Sequence, residues 1–488
     1  NKKMNKDLLK LYPHDLWENF ANLCDCPHPS KHEDAAIKWM KQWAKDHKVK
    51  VEQDKTGNLL FTVPATKGME KCTPVILQGH TDMVPQADDP KFDFLKNPIE
   101  PIIDKGWVRA NRTTLGADNG VGVCAALACV TTPGVKHGPL EILVTIDEET
   151  GMTGAFGLKK GFVKGKILIN LDSETEGEMY VGCAGGMDAN FERKYTTMPT
   201  PADMKGFQLT VTGLHGGHSG MDINLGRANA NKIAVRFLTK AVKEYGACVA
   251  SVCGGSLRNA IPREAMAVLA VPAKKATAFK TFAKKFETMV KAEFSATEEN
   301  MSVTVKAVDT PKKVIRTKAQ NQFLNMIFAI PNGVLRMSDS MENLVETSNN
   351  VAAIKAENGV MSAICLLRSS VDSAKDALGD RMTAIAELAE CGIELTGAYP
   401  GWKPNMESPI LKTCQKVYKK KFNQDPKIMA IHAGLECGLF GSCYPDWDMV
   451  SFGPTIEHPH SPVERVNIDS VGKFFDFLVE VLANVPKK

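Results

Sequence analysis

Five short apolar runs in this chain end in side chains that can hold a cation or move a proton. Pro74-Val-Ile-Leu-Gln-Gly-His80-Thr-Asp82 closes on an imidazole and a carboxylate two residues apart. In extended chain such residues lie on one side, so His80 can bind a divalent metal while Asp82 holds its ring. Taken alone, a His-x-Asp pair is more often a surface or hydrogen-bonded core pair. Leu115-Gly-Ala-Asp118-Asn119-Gly-Val-Gly allows a tight turn ahead of a helix, and Asp118 by itself reads equally as a helix N-cap. It matches neither glycine-rich phosphate-loop pattern. Ile142-Leu-Val-Thr-Ile-Asp147-Glu148-Glu149 ends in three consecutive acids, which repel one another unless a cation or raised pKa values intervene. Adjacent side chains point apart, suiting Glu148 and Glu149 to different tasks, one on a metal and one on a water. A solvated acidic turn is the plain alternative. Lys166-Ile-Leu-Ile-Asn-Leu-Asp172-Ser-Glu174 is a fourth such end, and Phe452-Gly-Pro-Thr-Ile-Glu457-His458-Pro-His460-Ser-Pro a fifth.

Together these ends supply His, Asp, Glu, Asp and His, a five-ligand set for two metals with an aspartate in the middle able to bridge. Two cations about 3.5–4 Å apart that share one water lower its pKa and polarise a carbonyl. Cys24-Asp-Cys26-Pro-His28, with His32 nearby, has zinc-binding residue types but no Cys-x-x-Cys pair. It reads as the loop leading into a helix over 34–47, with Ser30 and Glu33 as a capping box.

Placing those ends at one crevice requires a particular fold. Strands are predicted at 58–63, 74–78, 141–146 and 166–171, with a helix at 120–129 among them. After Trp402 come a helix at 410–422, a strand at 448–452 and a helix at 469–482. Strands alternating with helices predict an α/β domain with a mainly parallel sheet, whose ligands gather at the carboxyl ends of the strands. From about Met187 to Gly397 the texture is instead α+β. Strand 207–211, helix 230–242, strands 248–252 and 265–271, helix 276–292 and strand 303–308 form one β-α-β-β-α-β unit. Helix 320–329, strands 345–356 and 359–367 and helix 373–391 suggest a rougher second copy. Asn259-Ala-Ile echoes Asn350-Val-Ala-Ala-Ile. The expected organisation is catalytic segments 1–186 and 398–488 around an inserted domain, 187–397.

The 488 residues carry 60 Lys and Arg against 56 Asp and Glu, a net charge of +4. So slight an excess over this length argues against a nucleic-acid or membrane-surface protein. Hydrophobic residues at 43% and charged residues at 24% exclude a disordered or fibrous chain. No run of about 18 apolar residues and no secretory signal is found. Thirteen scattered cysteines, such as Cys124, Cys129, Cys365 and Cys391 within apolar runs, read as reduced thiols. A soluble, cytosolic protein is expected.

The order His80-x-Asp82, Asp118, Glu148-Glu149, Asp172, His460 resembles the M20 family of dinuclear zinc aminopeptidases and dipeptidases, nearly end to end and closest to its dipeptidase branch. The resemblance implies a zinc-peptidase catalytic domain with an inserted lid. It implies two divalent ions per chain, zinc in the first place, with cobalt and manganese also suited to such ligands. Asp118 would bridge, His80 and Asp172 would complete one site, and Glu149 and His460 the other. Asp82 would orient His80 and Glu148 would be the general base. His460 is preferred to His458 because it directly precedes Ser-Pro. Val463 is apolar where many relatives carry an acid. In the lid, Leu214-His215-Gly-Gly-His218-Ser-Gly resembles the family's glycine-rich histidine motif, with His218 steadying an oxyanion and His215 as its competitor. Arg368 and Asn259 would hold substrate carboxylate or carbonyl, the plain alternatives being a surface Arg and a turn Asn. Glu436, in His432-Ala-Gly-Leu-Glu436, would meet the amino end. The implied activity is hydrolysis of unblocked dipeptides, Xaa-His and β-alanyl-histidine among them, by a homodimer paired through the lid. An aminoacylase, or a non-catalytic metal-binding scaffold, is the alternative.

Overall fold

The computed structural model describes residues 6–487. The chain divides into two compact units, Asn1–Gly182 with Pro404–Ala430 and Glu436–Lys488, and Cys183–Lys403 with Ile431–Leu435. No helix among the described residues is long and apolar enough to cross a membrane.

The first unit is built on an eight-stranded sheet whose centre is four adjacent strands, Leu140–Thr145, Val75–His80, Ile167–Asn170 and Asp448–Ser451. These run parallel to one another, while the flanking Leu59–Val63 is antiparallel. Leu140–Thr145 and Val75–His80 are buried at every position, as expected of strands covered on both faces. The helix Ala117–Thr131 is apolar on all sides and correspondingly buried. It packs against the helix His14–Cys24 and the strand Val75–His80. The amphipathic helix Ile468–Ala483 buries Phe474, Phe475, Phe477 and Leu478, and its N-cap Asn467 accepts the Ser470 N–H. All four central strands therefore present their carboxyl ends at one edge.

The second unit carries a wholly antiparallel main sheet. Its order is Ser302–Val308, Met204–Thr212, Ala265–Pro272, Cys248–Gly254, Val345–Glu357, Val360–Ser369, Gly185–Lys194, Gly392–Tyr399. Read from either edge inward, each half is a β-α-β-β-α-β unit with its strands in the order four, one, three, two. The halves join where Val252 pairs with Ala356, and the echoing segments meet, Asn350 Nδ2 donating to Ala260 O at 2.8 Å. The opening strand of the second half is Gly185–Lys194, which precedes the first half. Local periodicity reveals a strand but not its partner, so the sequence reading started that half too late. Phe237, Phe279 and Phe286 centre the core of this unit.

Candidate metal centre

Three strand ends and the loop of His460 converge on Asp118 in the first unit. Its Oδ1 lies 3.1 Å from His80 Nε2, and its Oδ2 lies 3.0 Å from His460 Nε2. Asp172 Oδ1 is 3.5 Å from His80 Nε2, and Glu149 Oε1 is 3.0 Å from His460 Nε2. Two donor groups share Asp118, His80 with Asp118 and Asp172, and Asp118 with Glu149 and His460, and a third, His80 with Glu148 and Glu149, adjoins them. A tetrahedral shell with bonds of about 2.0–2.1 Å spaces its ligand atoms about 3.3 Å apart, close to these separations. Glu148 Oε2 stands 3.5 Å from His80 Nε2. His458, by contrast, faces Glu457 at 3.8 Å.

Local structure explains the convergence. Gly116 caps the helix Ala117–Thr131 with φ 78°, and Asp118 and Asn119 keep non-helical dihedrals, with a cis peptide bond between them. Asp118 is thus no N-cap, and its carboxylate is turned to the two histidines. Asn119 Oδ1 accepts the His80 N–H at 3.0 Å and its Nδ2 donates to Leu171 O at 2.7 Å, tying two strand ends together. A Cβ on Gly79 would come within 2.4 Å of that Asn119 oxygen, so only glycine fits there.

Asp82, 1% exposed, organises the acidic turn. Its Oδ1 accepts from His80 Nδ1 (3.1 Å) and Glu148 N–H (2.9 Å), and its Oδ2 from Glu149 N–H (3.1 Å) and Ser30 Oγ (2.6 Å). Ser30 and Glu33 are consequently not a capping box. The helix Asp34–Asp46 has no side-chain cap, because Ser30 is engaged by Asp82 and Glu33 accepts the Asp147 N–H at 3.0 Å. Both residues face the site. Among the described residues, no cluster of three metal donors includes Cys24, Cys26, His28 or His32.

The electrostatics calls for positive charge. Burial pushes Glu148 and Asp172 well above the ordinary carboxylate range, and burial raises Glu149 as well. Burial opposes charge on His80, yet the Asp172 and Glu148 carboxylates outweigh it and hold the ring well above its usual pKa. Hydrogen bonds to Asp118 and Glu149 push His460 up to about 11. Four carboxylates thus share two imidazoles, and among the described residues no Lys or Arg ion pair reaches them. Such oxygen and nitrogen donors, with one aspartate facing both groups, fit a pair of divalent cations.

Glu464 escaped the sequence reading, which looked for the missing acid one position earlier at Val463. Val463 is 62% exposed, whereas Glu464 is 2% exposed. Its carboxylate accepts the N–H groups of Leu115 (2.8 Å), Gly116 (3.0 Å) and Asp118 (3.1 Å), which joins the loop of His460 to the loop of Asp118. Glu436 lies elsewhere than expected. Only 2% exposed, it accepts from Gln78 Nε2 and Thr145 Oγ1, and burial places it beneath the centre rather than open to a substrate amine.

In the second unit, His218 Nδ1 accepts the N–H groups of Gly220 and Met221, both at 3.0 Å, leaving the ring proton on Nε2. Burial and Arg368 lower its pKa, so it is a neutral donor. His215 instead faces Glu299 at 3.0 Å. Arg368 is no surface residue: it is 4% exposed, donates to Ser219 Oγ at 3.2 Å, and leaves its Nε without a partner. The exposed Asn259 gives its carbonyl to the Ser219 N–H at 2.9 Å. His432, which the sequence reading did not single out, joins them: its Nε2 meets Ser348 Oγ at 2.7 Å and its Nδ1 is buried without a partner.

Comparison with known proteins finds relatives along nearly the whole chain. The cytosol non-specific dipeptidase of Escherichia coli (strain K12) is 45% identical over 483 residues, 99% of this chain and all of the relative. The crystal structure of aminoacylhistidine dipeptidase from Vibrio alginolyticus is 46% identical, with 99% of this chain and 98% of that one covered at a TM-score of 0.96. Aminopeptidase PepT from Bacillus cereus ATCC 10987 shares the fold at 16% identity, a TM-score of 0.57, and 97% and 99% coverage. The profile of Peptidase family M20/M25/M40 matches residues 76–484, a span that takes in both histidines and every carboxylate of the cluster, and the chain belongs to that family.

Proposed function

We propose that this chain is a metal-dependent dipeptidase acting on unblocked dipeptides, Xaa-His among them, in the cytosol. The observation that carries the reading is Asp118, whose two oxygens face two separate donor groups while Glu148 stands beside them. His80 and Asp172 would hold one divalent ion, zinc in the first place, Glu149 and His460 the other, and Asp118 both. When bound, such a pair polarises the scissile carbonyl and acidifies the attacking water. Glu148 takes the proton of that water and passes it to the leaving amine. Asp82 fixes the ring of His80 and the backbone of both glutamates. His218, a neutral donor at Nε2, steadies the oxyanion, and Arg368 with Asn259 receives the substrate carboxylate and carbonyl.

The Escherichia coli and Vibrio relatives support the substrate class by their names, and the thirteen cysteines, none of them in a disulfide among the described residues, support a reducing compartment. The same reading expects a homodimer paired through the lid, which sedimentation would check. Function is tested with a panel of Xaa-His and Xaa-Gly dipeptides beside their N-acetylated forms, before and after metal removal. Hydrolysis of the free dipeptides only, lost on chelation and restored by added cation, is expected. Preference for the N-acetylated forms would make the enzyme an aminoacylase.

A further inference from the structure

Beneath the metal centre, one residue row of the parallel sheet is polar although fully enclosed. Gln78, Asn170 and Ser451 stand side by side in register on three adjacent strands, each no more than 6% exposed. A strand interior covered on both faces is normally apolar, and a buried polar row persists only where each member is hydrogen-bonded.

The bonds here run in one direction. Ser451 Oγ donates to Asn170 Oδ1 at 2.7 Å, Asn170 Nδ2 donates to Gln78 Oε1, and Gln78 Nε2 donates to Glu436 Oε1 at 3.1 Å. Thr145 Oγ1 donates to the other Glu436 oxygen at 2.6 Å. Every donor points toward Glu436, both of whose oxygens accept. That pair of acceptors fixes which way each amide faces. Gln78 must offer its NH2 to Glu436 and therefore its oxygen to Asn170. Asn170 must in turn offer its NH2 to Gln78, so its own oxygen is left for the backbone N–H of Asp172, at 3.1 Å.

We infer that Glu436 is a positioning residue of the metal centre, setting through Gln78 and Asn170 the place of Asp172 beside His80. The inference rests on the reading of Asp172 and His80 as ligands of one cation. Replacing Glu436 by glutamine keeps the shape but removes the anchor. An NH2 then faces Gln78 or Thr145, Gln78 is free to turn over, and a turned Asn170 presents a donor to the Asp172 N–H. Outer hydrogen bonds of this kind are worth about 10–100-fold in metal affinity.

Cobalt(II) binding by the full chain, measured by competition with a chelator, tests the assignment. Wild type, Glu436→Gln, Gln78→Met and the double variant are compared, with the visible spectrum of each cobalt-loaded protein as a second readout. Gln78→Met breaks the chain while leaving both ends in place, so it decides alone if Glu436→Gln does not fold. Each single variant is expected to weaken one of the two cobalt ions about 10–100-fold and shift its spectrum, and the double variant to be no weaker than the worse single. Wild-type affinity in the single variants, or losses that multiply in the double, would overturn the inference, the latter because Glu436 would then act as a charge through space. A wild-type chain that takes up no second cation would instead overturn the metal-centre reading itself.

Discussion

Asp82→Asn isolates the group that holds the acidic turn in register with His80. The substitution preserves shape, removes a buried charge and replaces one acceptor with a donor. The best orientation puts the new NH2 where Oδ2 stood, because the Ser30 hydroxyl can rotate to accept from it. The Glu149 N–H then loses its acceptor, and an unpaired buried N–H costs about 1–3 kcal/mol. The bonds from His80 Nδ1 and Glu148 N–H survive but no longer end on a charge, a loss of about 1 kcal/mol each. The sum, about 3–5 kcal/mol, divides between folding and the metal centre, and about 1.4–2.8 kcal/mol in the latter is a 10–100-fold loss of metal affinity. The assay is metal content after dialysis against graded chelator, alongside kcat on a dipeptide in excess metal. Native affinity together with native kcat in the folded variant would refute the role given to Asp82.

Glu148→Gln should bind metal normally and lose about 10²–10⁴-fold in kcat, measured by steady-state kinetics at saturating dipeptide. Glu464→Gln places an NH2 among three backbone donors and should destabilise the folded chain by about 1–3 kcal/mol in a denaturant titration, with faster release of metal. The metal-free protein should lose thermal stability as pH rises. His460, held at about 11 against 6.5 when unfolded, contributes stability below 6.5 that disappears as the pH climbs toward its folded value. Glu174, pushed up to about 8 from 4.5 by burial and the Asp118 charge, keeps a proton the unfolded chain has already released, so rising pH favours unfolding over that window too. Scanning calorimetry without metal should show Tm falling from pH 6.5 upward, and saturating cation should flatten the trend.

Much of the candidate centre was legible because its donor side chains obey a local rule: an apolar strand stops, and the next polar residues of suitable parity face the crevice. His80, Asp82, Asp172 and the Glu148–Glu149 pair are all of this kind. Choosing His460 over His458 needed the resemblance, since both lie in one loop with positive φ. What stayed hidden was bonding across long separations. Ser30 and Glu33 have the spacing of a cap, but their partners are Asp82 and Asp147, and nothing in a capping pattern distinguishes the two uses. Glu464 meets a loop nearly 350 residues away. The resemblance gives Glu436 to the amino end of the substrate, yet its carboxylate anchors a chain of side chains drawn from separate strands. In the second unit, alternating apolar residues marked the strands, whereas the early position of Gly185–Lys194 depends on pairings no local pattern encodes.

Anomalous diffraction from crystals grown with zinc, collected on both sides of its absorption edge, addresses the twin-cation centre directly. Two peaks about 3.5–4 Å apart, one against His80 and Asp172, the other against Glu149 and His460, with Asp118 reaching both, are the expected result. A single peak, or peaks away from Asp118 in fully loaded protein, would contradict it.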